Sequence, residues 1–92
     1  MTETKAIGVL ETKGLTPLIE GADAAVKAAH VDLVEWRQVG GGIVSFVIEG
    51  EVAAVRSAIE AGKEAATRVG EVISEVIIPR PVVELKGTFS HS

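Results

Sequence analysis

Cysteine is absent from this chain, and aromatic residues make up only 3% of it: Trp36, Phe46 and Phe89. Without cysteine there is no disulfide framework, no thiolate nucleophile and no Cys-based zinc site, which fits a reducing cytosol. Three rings are too few to interleave with the scattered Arg37, Arg56, Arg68 and Arg80 as a stacking groove for single-stranded nucleic acid would require. Positive charge is also in deficit. Nine Lys and Arg face thirteen Asp and Glu, for a net charge of −4 and a pI near 5.1. That balance excludes a broadly basic nucleic-acid binder. Long apolar runs are missing as well. The longest uncharged stretch, residues 38–48, has eleven residues and three glycines, whereas a membrane span needs about 18–20 apolar residues. The opening Met-Thr-Glu-Thr-Lys lacks the apolar region of a signal peptide. The expectation is a soluble intracellular protein that meets neither nucleic acid nor membrane.

What is present is aliphatic. Hydrophobic residues are 47% of 92 residues, chiefly Val, Ile and Ala. The length allows one domain, 1–92, with a core over about 5–81 and a tail over 82–92. A chain this short buries only roughly 60–65% of the surface its unfolded form exposes. With a thin core and no disulfide, part of that aliphatic surface is expected in a subunit interface.

Residues 6–10, Ala-Ile-Gly-Val-Leu, read as a buried strand ending at the polar Glu11-Thr12-Lys13-Gly14, with Gly8 marking close approach of another backbone. A helix follows, with Thr16 as cap, Pro17 at its first position and Glu20 in its first turn. Leu18, Ala22, Ala25 and Ala29 form its apolar stripe beside Ile19 and Val26, small enough to approach a sheet closely. Residues 31–39 and 43–48 are strands joined by Gly40-Gly41-Gly42, a hairpin turn that exploits glycine's access to positive φ. A second helix carries Val52, Val55, Ile59, Gly62, Ala66 and Val69 at alternating spacings of three and four, and Gly70 suits its C′ position. A last strand, 72–78, is expected to stop at Pro79-Arg80-Pro81, because neither proline donates to a ladder. The tail is expected to hold one short helical turn. The predicted fold is α+β, a ferredoxin-like β-α-β-β-α-β unit with a four-stranded antiparallel sheet and two helices on one face. The other face is expected to carry uncovered apolar surface, which again points to assembly.

Chemistry-bearing constellations are not found. His30 and His91 have no neighbours at metal-ligand spacing. Glu20 with Asp23, and Glu60 with Glu64, stand on predicted solvent faces. The serines occupy no nucleophile elbow and have no nearby base. The three glycines join strand to strand, so they are neither a P-loop nor a dinucleotide fingerprint. No catalytic residue, metal site or cofactor is assigned, and the residues alone indicate a small α/β domain that oligomerises.

Six blocks carry a resemblance: Glu11-Thr12-Lys13-Gly14-Leu15-Thr16, Ala22-Asp23-Ala24-Ala25-Val26-Lys27-Ala28-Ala29, the glycine hairpin, Gly50-Glu51-Val52-Ala53-Ala54-Val55, Val69-Gly70-Glu71-Val72 and Ile78-Pro79-Arg80-Pro81. In this order and spacing, from about Lys5 to Pro81, the chain resembles the single-domain hexameric shell proteins of bacterial microcompartments. The resemblance implies a non-enzymatic building block located in a cytoplasmic microcompartment. Six copies form a disc with an axial hole, and discs tile into facets, with other shell proteins, around encapsulated enzymes. It further implies that Gly40, Gly41 and Gly42 line the pore, with Gly41 at its narrowest point and Gln38 and Arg37 near the rim. Small polar or anionic metabolites would cross there. Lys27 and Arg80 match residues that join one hexamer to the next.

The chain also departs from that family's pattern. Gly41 stands where serine is frequent, Glu35-Trp36-Arg37-Gln38 where Gly-Tyr-Glu-Lys is frequent, and Val82 where His often follows Pro-Arg-Pro. Pore charge therefore does not carry over from relatives. Two alternatives remain on composition alone: a ferredoxin-like sensor domain binding a small molecule between subunits, and a small enzyme of the acylphosphatase kind. The second lacks a nucleophile, base or phosphate cradle. The first does not account for the Pro-Arg-Pro block.

Overall fold

A computed structural model of the chain describes residues 4–81. Its elements are β1 (Thr4–Lys13), α1 (Leu15–Ala28), β2 (Asp32–Gly40), β3 (Ile43–Glu51), α2 (Val52–Val69) and β4 (Glu71–Pro81). The strands form one antiparallel sheet in the order β2-β3-β1-β4. This is the predicted β-α-β-β-α-β arrangement. The tail expected to hold a helical turn, 82–92, lies outside the described residues.

Strand alternation divides the sheet into two faces. Ala6, Gly8, Leu10 and Thr12 of β1 turn toward the helices, beside Ile48 and Phe46 of β3, and all are buried. Leu18 of α1 and Val55, Ala58, Ile59 and Ala66 of α2 close over them. Thr12 is buried in this layer and donates its hydroxyl to the Gly14 carbonyl at 2.9 Å. The first strand therefore does not end at Leu10 as predicted; the polar Glu11-Thr12-Lys13 continues it, paired with β3 on one side and β4 on the other.

α1 starts two residues earlier than expected, at Leu15 rather than Pro17. Its N-cap is Gly14 at φ 88°, Thr16 is inside the helix, and no side chain caps it. Glu20 accordingly lies beyond the first turn, which holds no acid. The small residues of α1 serve α2 rather than the sheet, because α1 packs chiefly on α2. At the crossing, a Cβ on Gly62 would stand 2.9 Å from the Gly21 carbonyl oxygen, and one on Gly21 would stand 3.0 Å from the Gly62 oxygen. Backbones thus meet here and not at Gly8, whose missing Cβ makes room for the side chains of Val55 and Ile59, each at 2.7 Å. Replacing Gly62 by Ala would improve intrinsic helix propensity by about 1 kcal/mol, but forcing apart two packed backbones costs typically 1–3 kcal/mol. Gly62→Ala is expected to be less stable by about 1–2 kcal/mol, read as a lower urea midpoint at fixed protein concentration. A midpoint unchanged or raised would show that the helices separate freely.

Gly70 ends α2 for a different reason from the one predicted. Its backbone is extended, at φ −175°, and its N–H donates to the Ala66 carbonyl at 2.9 Å. A Cβ there would fall 2.6 Å from Pro17 Cγ, so contact with α1 requires the glycine. β4 likewise runs through Pro79-Arg80-Pro81, with Pro79 opposite Ala6 and Pro81 opposite Thr4. It is an edge strand, and prolines on alternate positions leave their missing donors on the unpaired side.

The open face is only half apolar. Arg37, Ser45, Glu11 and Ser74 form one cross-strand row near the hairpin, in which Ser74 donates to Glu11 Oε1 at 2.7 Å. Beyond it lie Val47, Val9 and Val76, then Ile7 and Ile78. The remaining exposed large hydrophobics stand on the flanks: Leu15, Ile19 and Val26 on α1, Val69 at the end of α2, Ile73 on β4, and Val34, Trp36 and Val39 on β2. Ile19, Val26 and Val69, expected beside or within core stripes, are among them. Val34 and Val39 coincide with the two register shifts of β2 against β3.

Candidate functional site

The direction of each element sorts the candidate residues into two groups. β1 ends at Lys13, β2 ends at Gly40, and β3 and β4 begin at Ile43 and Glu71, so all four strands meet one end of the sheet at the glycine hairpin. α1 starts there too and runs away from it. Fourteen residues at 1.5 Å each carry the chain about 20 Å, which places Lys27 at the opposite end. Arg80, opposite Lys5 on β4, is at that far end as well.

At the hairpin end, Gly40, Gly41 and Gly42 have φ of 121°, 63° and 81°. The two central residues, Gly41 and Gly42, thus have the positive φ that a type I′ turn demands. No atom outside the turn lies within 4 Å of where a Cβ would stand on Gly40 or Gly41. The tip is fastened from below by the Gly14 N–H, which donates to the Gly42 carbonyl at 2.8 Å. A shallow recess of about 350 Å³ runs along residues 38–44. Gln38 and Arg37 point to opposite faces of β2, Gln38 with Val44 and Arg37 with Ser45. The Arg37 guanidinium is turned back on its own strand, donating to Glu35 Oε2 at 2.7 Å. That hydrogen bond, seconded by the guanidinium's charge, holds the Glu35 carboxyl below its ordinary pKa. Arg37 consequently brings little net charge to the hairpin.

At the far end Lys27 is exposed and pairs along its helix with Asp23 at 3.0 Å. Arg80 lies in β4 rather than in a loop and reaches Glu49 at 3.7 Å. A cavity of about 360 Å³ opens nearby, lined by Lys5, His30, Asp32, Glu49 and Glu51 among others. Among the described residues no group of three or more His, Asp or Glu is placed to hold a metal ion. A depression of about 740 Å³ follows the solvent side of α2 past Ser57, Glu60, Lys63 and Glu64, and among the described residues it is lined by α2 alone. No helix among the described residues is long and apolar enough to cross a membrane.

The sequence model of the family described as BMC domain matches residues 6–81. The chain belongs to the BMC-domain family of bacterial microcompartment shell proteins. It is 48% identical over 88 residues to the bacterial microcompartment shell protein EutM of Salmonella typhimurium, covering 96% of this chain and 92% of the relative. It is 46% identical over 84 residues to the shell protein PduA of Citrobacter freundii, covering 91% and 90%. The carboxysome shell protein CsoS1A of Hydrogenovibrio crunogenus is 48% identical over 82 residues, covering 88% and 85%. A crystal structure of a microcompartments protein from Desulfitobacterium hafniense DCB superposes with a TM-score of 0.75 at 41% identity, over 82% of this chain. This chain spans about two fifths of that solved chain, 41% of its length.

The two ends hold the residues singled out from the sequence, and sequence reading missed two residues there. Glu35 was not recognised as the partner of Arg37, although the i, i+2 spacing on a strand puts both on one face. Lys13 was not connected with the hairpin. Its Cε lies 3.6 Å from where a Cβ would stand on Gly42. That contact joins positions 13 and 42 through the β1–β3 register, and no local pattern reports it.

Proposed function

We propose that this BMC-domain chain is a structural tile of a bacterial microcompartment shell, closing as a homohexamer around its glycine hairpins and tiling through the opposite end. Its relatives are shell proteins and not enzymes. One observation carries the finer reading: the hairpin and the Lys27–Arg80 end lie at opposite extremes of the domain. A ring subunit needs one end at the axis and the other at the rim. It also needs two different lateral surfaces, since a head-to-tail contact repeated around a ring closes only if unlike surfaces meet. The flanks supply them. Trp36, Val34 and Val39 are exposed along the β2 edge, and Ile73, Val76 and Ile78 along β4. Scattered over a monomer they would be unremarked, but lined along two open sheet edges they mark association surfaces.

In this arrangement Gly40, Gly41 and Gly42 form the wall of an axial pore from main chain alone, and Lys27 and Arg80 join neighbouring discs. Partners are further copies of itself, other shell proteins and the enclosed enzymes, with small polar or anionic metabolites crossing the pore. The first test is solution mass and negative-stain electron microscopy of the purified chain. Particles of six chains with a central hole, joining into sheets, are the expected result. A dimer or trimer that forms only with a small ligand would instead favour a sensor domain and sink the tile.

A further inference from the structure

Resting on the hexameric reading, we infer that Lys13 sets the ion preference of the pore, six copies of it placing a cationic ring at one mouth of the glycine channel and favouring small carboxylate- or phosphate-bearing solutes. The residues previously placed at the rim do not supply such charge. Gly40, Gly41 and Gly42 have no side chains, Gln38 is neutral, and Arg37 is held on Glu35 at 2.7 Å. Lys13 is different in each respect. It ends β1 on the open face of the sheet, directly opposite Ile43, the first residue after the turn. Its stem runs against Gly42, with Cε 3.6 Å from the position a Cβ would take there, an ordinary van der Waals contact. The next residue, Gly14, donates to the Gly42 carbonyl at 2.8 Å, so the hairpin tip and the end of β1 are one fixed unit. Lys13 is exposed, and its ammonium makes no hydrogen bond or ion pair among the described residues. Its cross-strand neighbour Glu71 lies on the β4 side, away from the hairpin, and is not within ion-pairing distance. Glu11, two residues back on the same face, is engaged by Ser74 at 2.7 Å. An unpaired ammonium whose stem rests on the pore loop, repeated six times around an axis, focuses a positive field into a narrow opening.

The test is the reversal potential of assembled discs in a planar bilayer under a potassium chloride gradient, with potassium and chloride as the probes. Wild type is expected to pass chloride in preference to potassium. Lys13→Gln should lower that preference by about tenfold, the low end of what a focused field does to local ion concentration. Lys13→Glu should reverse it, and Lys13→Arg should keep it. Solution mass is measured on every variant. If the wild-type chain forms no sixfold disc, the hexameric reading fails and takes this one with it. If wild-type discs form and Lys13→Gln and Lys13→Glu discs conduct with unchanged ion preference, only the role of Lys13 is overturned. If discs form for wild type and for none of the variants, Lys13 is an assembly residue and the inference is equally overturned.

Discussion

Lys27→Asp is expected to leave discs intact and abolish the sheets they form. The substitution is mild for the fold. Lys27 is 73% exposed on its side chain, and among the described residues it pairs only along its own helix, with Asp23. Turning that i, i+4 pair into two acids costs a few tenths of a kcal/mol. An acid in the last turn of α1 opposes the helix dipole by about 0.3–1 kcal/mol. Neither unfolds a domain whose core is closed by Leu18, Phe46, Val55 and Ile59 elsewhere. The lattice is far more sensitive. In a disc the altered residue recurs at six edges, so a modest loss per contact is multiplied before any long-range order is reached. A lysine at a disc edge can lay its stem along the facing chain and donate to its carbonyls; an aspartate has no donor and adds charge to a chain already at −4. Electron microscopy decides the matter. Mutant discs of normal mass that still tile at the wild-type spacing would remove Lys27 from the edge.

Where such a residue sits was only partly legible beforehand. Element order, the hairpin and the helix stripes followed from spacing and glycine placement, because periodicity reports which face of one element is buried. Three things escaped it. The strand through Pro79-Arg80-Pro81 was cut short, because whether a proline breaks a ladder depends on its strand being an edge, which only the sheet order β2-β3-β1-β4 reveals. Gly70 reads locally as a helix C′ residue and in fact makes room for Pro17, a partner 53 positions away in sequence. Gly21 and Gly62 permit a helix crossing that neither helix's own pattern discloses. Each miss is a long-range contact read as a local one. The candidate site shows the same division. Gly40, Gly41 and Gly42 announce a turn by composition, and their φ values agree. Lys13 beside them is invisible until β1 is laid on β3, and Arg37 looks like a free cation until Glu35 is seen to hold it.

The proposed pore offers the other large effect: Gly41→Leu is expected to slow metabolite passage into assembled shells sharply while leaving the discs in place. At φ 63° Gly41 occupies the left-handed region, where an L-residue loses roughly 1–2 kcal/mol. The Cβ itself adds no clash, because no atom outside the turn lies within 4 Å of it. Gly42 would be a less clean choice, since a Cβ there would touch the Lys13 side chain at 3.6 Å and so mix two effects. The flanking geometry resists collapse: Gly40 pairs with Ile43, and the Gly42 carbonyl is held by Gly14. In the proposed hexamer, a folded subunit with a leucine at the tip then brings six isobutyl groups to the axis. They replace main-chain dipoles with apolar bulk, narrowing the opening and removing the N–H groups' access to polar solutes. Gly41→Asn separates the two effects. Asparagine tolerates positive φ better than leucine does and stays polar, so it should restore the turn while narrowing the channel less. The order expected for flux is wild type, then Asn, then Leu, at equal shell yield and with disc mass checked for each. Equal flux through well-formed shells of all three would mean that solutes cross somewhere other than the hairpin axis.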